Sequence, residues 1–472
     1  MNNNSKKRTF VSSMPLLLAS LVWATVSHAE PAFQKASEVD DTMRSLMSQQ
    51  NIPGAVVTIL KDGKPLYTAA YGISNLETKT PATTATVFQS GSVGKMFTSS
   101  AIMLLVQDGK IKLDDPIAPF FPEVKGVWDG ITIRQVMLQR SGIRDYEEFN
   151  SIDIKQNYSD EQLIGLLSSK ALDFPPGTQY RYSNSGYIAL GILIKRASGK
   201  FYGDLLQERL FSQCNMKTAQ VNVLKSIIPN RAAGYVSNEG PLENPGPVAQ
   251  TLSETADGSL LLTINDLAAW DACLSNNKPL TRESVATEWE VPLMPDGTQP
   301  VTGYGTGWRN NVVNGHRVID HSGSFQGFRA HYARFENGLS VALLTNLESA
   351  RGSYIVRRVA GIIEPGLLPL EKEIAGSAAE TQKTKSAIIA LMNGSNDPLL
   401  GSDIHKVFDN KHVEEIESSF IKVTPDTNLV QVNEEKDNSV TLRTYKATGK
   451  KVNYINAEFA DNKIVGLKFS AE

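Results

Sequence analysis

"FQSGSVGKMFTSSAIMLLVQDGKIKLDDP" (residues 88–116) places Ser92 three residues before Lys95, at the head of an apolar run. Met96, Ile102, Met103, Leu105 and Val106 fall mostly at helical intervals, and Gly109 stands where a helix would end. In a helix, residues i and i+3 share a face with Cβ atoms about 5–6 Å apart, so the hydroxyl and the amine can meet. Free N–H groups at a helix start favour an alkoxide, and a lysine in a partly dry site shifts toward its neutral form. Serine also caps helices, so the pair alone does not separate a nucleophile from a cap.

Two other Ser-x-x-Lys tetrapeptides, Ser275/Lys278 and Ser419/Lys422, lack this context. The first is a polar stretch stopped by Pro279, and the second alternates like a strand, where residues three apart point to opposite faces. Two further constellations strengthen the Ser92 reading. "FPPGTQYRYSNSGY" (174–187) is broken by Pro175-Pro176-Gly177, and its Tyr182 and Asn184 can face one cleft. A tyrosine can relay protons and an asparagine amide can orient an acyl group. "DHSGSFQGF" (320–328) sets His321-Ser322-Gly323-Ser324 before a strand pattern. There the glycine permits close backbone approach, and the following N–H can complete an oxyanion hole.

Composition is that of an ordinary soluble globular chain: 472 residues, 41% apolar and 21% charged. Lys6-Lys7-Arg8, an uncharged segment over 10–26 and Ser27-His28-Ala29 have the layout of a secretory signal peptide over residues 1–29, cut after Ala29. Ser12, Ser13 and Pro15 leave an apolar run shorter than the roughly 20 residues a membrane span needs. Export implies a secreted or periplasmic protein with no membrane span in the mature chain. Loss of those three basic residues leaves 44 basic against 50 acidic, a net charge of −6, and no electrostatic case for nucleic acid. An oxidising compartment would permit a bridge between Cys214 and Cys273, but two lone cysteines read first as small buried residues. No cofactor or metal is implied, since no His-x-His or His-Glu-x-x-His pattern occurs.

Residues 55–60 and 66–70 flank Asp62-Gly63 as a hairpin, residues 163–172 and 186–198 read as helices, and strands return over 331–346. Strands, then helices and loops, then strands predict an α+β fold with a sheet built from both ends of the domain. The organisation expected is a catalytic domain over 30–365, a linker over 366–384, and a small domain over 385–472. In that last domain a helix near 385–393 precedes an antiparallel sheet, with Val465, Leu467 and Phe469 on one face of its final strand.

The three motifs, in this order, resemble those of the serine β-lactamase and penicillin-binding protein family. The branch is that of class C β-lactamases, DD-carboxypeptidases, D-aminopeptidases and esterases. "LDDPIAPFFPEV", "YSNSGYIALGILIKRASG", "TINDLAAWD" and "GYGTGW" extend the likeness over roughly 35–365. The resemblance implies a serine β-lactamase/DD-peptidase-like fold and two-step acyl transfer on a small-molecule or peptide substrate. Ser92 would be the acylated nucleophile, Lys95 its general base and Tyr182 a partner in proton transfer. Asn184 would bind the substrate amide, while His321, Ser322 and Gly323 would line the opposite wall. The N–H groups of Ser92 and Ser324 would form the oxyanion hole. The chain departs from efficient β-lactamases in lacking Lys-Thr-Gly, which favours a D-amino-acid peptide or small ester over a β-lactam. It also carries Gln139-Arg140-Ser141-Gly142 where the family has His-Thr before Ser-Gly, which reads as drift. The rival reading is a silent protein of this fold that binds peptide, polymer or a partner protein. An α/β-hydrolase fails because Ser90 occupies the first glycine of Gly-x-Ser-x-Gly. A triad through His321 and Asp320 stays open as a rival, though adjacent residues on an extended strand point apart.

Overall fold

The computed structural model describes residue 1 and residues 33–471, apart from 125, 150, 238–239, 299, 301–302, 369–373, 375, 403, 409, 438–439 and 449–451. The signal-peptide reading therefore falls, Met1 aside, outside the described residues. Residues from Lys35 onward form one compact unit.

Helix α1 (Ala36–Gln50) precedes strands β1 (Gly54–Lys61), β2 (Lys64–Asn75) and β3 (Thr80–Pro81). Asp62 and Gly63 join β1 to β2 with both φ angles positive (51° and 79°), as a two-residue type I′ turn requires. Strands β4 (Phe88–Gln89), β5 (Gln220–Val221) and β6 (Leu260–Leu262) form a small sheet in the order β4-β6-β5, and helix α2 (Gly94–Gln107) follows β4. Strands β7 (Arg309–Val313), β8 (His316–Phe325), β9 (Phe328–Phe335) and β10 (Leu339–Thr345) complete a seven-stranded sheet ordered β3-β2-β1-β10-β9-β8-β7. Its two ends of chain meet where β1 pairs antiparallel with β10, as the strand–helix–strand order predicts. The fold is α+β.

Both faces of that sheet are covered. Helix α1 and the helix Gly352–Ile363 pack on one side, and the helix Ile264–Asn276 packs on the other, so β1 and β10 are buried almost throughout. Helix α2 is buried from Gly94 to Leu105, the mark of a helix enclosed on every face. The thiols of Cys214 and Cys273, read first as isolated buried residues, are buried and joined in a disulfide. Local spacing could not reveal the pair, because Cys273 lies 59 residues further on, within the helix Ile264–Asn276.

A second hydrophobic core lies between the helix Ala378–Met392 and a four-stranded meander, β11 (Asn428–Asp437), β12 (Val440–Thr448), β13 (Val452–Ala460) and β14 (Lys463–Ala471). That helix begins seven residues before the expected start of the small domain. The register between β13 and β14 shifts at Glu458/Phe459, so Phe459 faces Ile464 and Glu458 faces Gly466. Val465 is the extra residue and is 45% exposed, whereas Ile464 is fully buried. A β-bulge of this kind breaks the strict alternation that would keep Val465 on one face with Leu467 and Phe469.

Candidate active site

Ser92 does not open helix α2 itself. It sits in a 3₁₀ turn, Gly91–Val93, that leads into α2 at Gly94, and Lys95 is the second residue of the helix. In a 3₁₀ turn side chains three apart eclipse one another, which brings the pair together more directly than an α-helix would. Lys95 Nζ lies 3.1 Å from Ser92 Oγ. Gly91 has φ +50°, and a Cβ there would meet the Ser324 amide nitrogen at 2.4 Å. The turn is thus pressed against β8.

Lys95 is fully buried and donates to Asn184 Oδ1 at 2.7 Å and to the Asp257 carbonyl at 2.5 Å. Burial pushes its amine down to about 8, against the opposing pull of Asp257, Asp145 and Glu147. Its ammonium also sits 4.9 Å over the Tyr182 ring. Burial holds the Tyr182 phenol well above its ordinary range, with a Ser92 hydrogen bond pulling it partly back. The tyrosine therefore keeps its proton at neutral pH, while the neutral form of the lysine comes within reach just above it.

Asn184 begins the helix Asn184–Ser198, which Ser183 caps by accepting from the Gly186 N–H. The Asn184 N–H donates to Asp145 Oδ2 at 2.6 Å, and its Nδ2 reaches Glu147 Oε1 at 3.4 Å. Gln139 fixes the Tyr182 loop from the far side: its side-chain oxygen accepts from the Ser183 N–H and its carbonyl accepts from the Arg181 N–H. The segment read as drift is the clamp for this loop.

On β8, alternation turns His321 and Gly323 toward Ser92, and Asp320 and Ser322 the other way. His321 Nδ1 donates to the Ser322 carbonyl at 2.6 Å, leaving Nε2 to accept from the Tyr304 hydroxyl at 3.1 Å. Burial, with Arg309 and Lys95 adding repulsion, pushes the imidazole down to about 3, so it is neutral at any working pH rather than titrating near neutrality. Asp320 pairs instead with Arg309 and His331. Burial would raise its carboxyl, but these partners hold it at about 2. A Cβ on Gly323 would lie 2.0 Å from the Ser90 carbonyl and 2.9 Å from the Ser92 nitrogen.

Ser92, Tyr182, His321, Ser322, Gly323 and Ser324 all line one cavity of about 610 Å³. Phe420, Tyr454 and Phe469, from the C-terminal sheet domain, line it too. A second, smaller cavity of about 30 Å³ shares Ser92 and Ser324 and is lined by Asn184, Glu147 and Asp257. The eight residues singled out from sequence therefore gather at one site: six line the large cavity, Asn184 lines the small one, and Lys95 Nζ lies 3.1 Å from Ser92 Oγ. Asp145, Glu147, Asp257, Tyr304 and Arg309 are neighbours that sequence reasoning missed. Tyr304 stands inside "GYGTGW", a stretch that did flag the region; isolated acids in loops carry no pattern.

A solved structure, the octameric penicillin-binding protein homologue from Pyrococcus abyssi, aligns with a TM-score of 0.62 at 22% identity over 92% of this chain and 98% of that one, so the two share a fold. Residues 39–361 match the beta-lactamase family, and the chain belongs to it. Among curated relatives, the D-aminopeptidase of Gluconobacter oxydans (strain 621H) is 27% identical over 63% of this chain and 56% of its own length. A beta-lactamase of Escherichia coli (strain K12) is 31% identical over 56% of this chain and 67% of its own. The chain thus spans little more than half of the first relative.

Proposed function

We propose that this chain is an exported serine hydrolase that cleaves a D-amino-acid peptide or a small ester through an acyl-enzyme on Ser92. The observation that carries the reading is the 3.1 Å contact between Ser92 Oγ and an amine whose buried setting brings it to about 8. Neutral Lys95 takes the hydroxyl proton as Oγ attacks the substrate carbonyl. The N–H groups of Ser92 and Ser324 receive the oxyanion, and Tyr182 passes a proton to the leaving group as its bond to the carbonyl carbon breaks. Water then attacks the ester, and the acid leaves with Ser92 restored. Asn184, held by Lys95 and Glu147, orients the acyl portion.

Two features support the substrate class. A neutral His321 offers no fixed cation for the carboxylate of a β-lactam, and the first relatives bear the name D-aminopeptidase. Export is supported by the charge and apolar pattern of residues 1–29 and by the Cys214–Cys273 disulfide, a bond favoured outside the cytosol. The test is to incubate the mature protein with a fluorescent penicillin, p-nitrophenyl acetate and D-alanyl-D-alanine, then map adducts by mass spectrometry. An acyl group on Ser92, absent in Ser92→Ala, is expected. Activity unchanged in that variant would move the nucleophile elsewhere, and no adduct or turnover with any probe would favour the silent binding protein.

A further inference from the structure

Two carboxylates, Glu147 and Asp257, line the small cavity beside Ser92, and a third stands near them. Asp145, Glu147 and Asp257 all act on Lys95. Asp145 is committed, since its two oxygens accept the N–H groups of Glu147 (3.0 Å) and Asn184 (2.6 Å). The other two carboxylates line the cavity and are not. Among the described residues, Glu147 Oε1 receives only the 3.4 Å contact from Asn184 Nδ2. Asp257 is 9% exposed, and its Oδ1 is buried with no hydrogen-bond partner among the described residues. Lys95 bonds the main-chain oxygen of Asp257.

A buried carboxylate oxygen without a donor is costly, and a ligand that supplies the donor recovers that cost on binding. The cavity, about 30 Å³, has room for one water-sized group. Among the described residues no set of three His, Cys, Asp or Glu side chains could hold a metal ion, so an organic cation fits this space better. Ser92, Asn184 and Ser324 share its walls, so a group placed there is attached close to the carbonyl under attack. Accepting Ser92 as the nucleophile, we infer that Glu147 and Asp257 bind the α-ammonium of the substrate. The substrates are then aminoacyl amides and esters with a free amine, and blocked acyl groups are refused. Glu147 lies at the exposed mouth and Asp257 on the floor. The ammonium also supplies the positive charge that Lys95 gives up when it becomes a base.

The test uses the p-nitroanilides of both alanine enantiomers and of their N-acetyl derivatives, with wild type, Asp257→Asn and Glu147→Gln. In wild type kcat/KM for the better free amine should exceed that of its acetylated partner on the order of 100-fold, because a site built for an N–H donor rejects a compound lacking it. Each substitution should collapse that ratio toward one. Glu147→Gln alters an exposed side chain and so reports even if Asp257→Asn fails to fold. A wild type indifferent to acetylation, or a ratio unchanged in Glu147→Gln, overturns the inference. Labelling of Ser92 by p-nitrophenyl acetate separates the two failures. An adduct with no amine preference sinks only the pocket, whereas hydrolysis that survives in Ser92→Ala, or no adduct and no turnover at all, sinks the mechanism with it.

Discussion

Gly323 and Ser90 lie so close that a methyl group on the glycine would stand 2.0 Å from the serine carbonyl oxygen. That approach seats β8 against the turn carrying Ser92. Gly323→Ala must therefore push strand and turn apart, and displacement of about 1 Å at a reacting centre can cost on the order of 100-fold in rate. Steady-state kinetics should show kcat/KM lowered by at least that factor, with ester labelling of Ser92 slowed in parallel. Wild-type rates in this variant would mean that the close packing has no part in catalysis.

With Lys95 as the proposed base, its buried amine should set the pH dependence. Its native value near 8 lies below the ordinary 10.5, so the neutral base becomes more abundant as pH rises through 8. The kcat/KM profile should climb about tenfold per unit below that point and level off above it. Lys95→Ala should lose ~10²–10⁴-fold and the shoulder with it. A flat profile from pH 6 to 9 would assign the proton to another group.

Tyr182→Phe keeps the ring that covers Lys95 and removes only the hydroxyl. If the phenol carries the leaving-group proton, kcat for an amide should fall ~10²-fold or more while KM stays within about threefold. An ester with a nitrophenolate leaving group needs no such proton and should lose much less. Equal losses on both substrates would contradict the relay.

Glu288 offers a prediction about stability. It is fully buried, accepts from Ser100 Oγ and Trp308 Nε1, each at 3.0 Å, and burial raises its carboxyl to about 8. The folded chain then keeps a proton that the unfolded chain releases above about 4.5, so this group's contribution is full below that pH and fades as pH rises toward 8. Between pH 5 and 8 the wild type should lose at least about 2 °C more in Tm than Glu288→Gln does. Parallel curves would mean that Glu288 titrates normally.

Phe420 is half-buried and lines the large cavity from the C-terminal domain. Phe420→Ala should raise KM for a peptide substrate of four or more residues by about tenfold relative to p-nitrophenyl acetate, the scale of one lost apolar contact. A uniform change on both would place the cavity wall outside the substrate's reach.

The legible parts of this molecule were those written in local pattern. Lys61-Asp62-Gly63-Lys64 announced a hairpin, and Ser92 with Lys95 announced itself through helical spacing. Tyr182 and His321 were found because proline breaks and a glycine set their loops apart from the helices around them. What stayed hidden depends on contacts distant in sequence. Asp257 approaches Lys95 across 162 residues, and Cys214 meets Cys273 only because the helix Ile264–Asn276 packs back toward it. The shared face expected for Val465, Leu467 and Phe469 failed for a different reason: a single extra residue in β14 shifts which side chains face the core.

The shared wall of the large cavity has a consequence for biosynthesis. Ser92 and Lys95 leave the ribosome more than 350 residues ahead of Tyr454 and Phe469, which help to enclose the same space. A nascent chain consequently bears the Ser92–Lys95 pair for most of translation without the enclosure that completes its surroundings. Closure of the cavity is thereby tied to β13 and β14, so a chain cut short before them keeps Ser92 and Lys95 but not the whole wall around them.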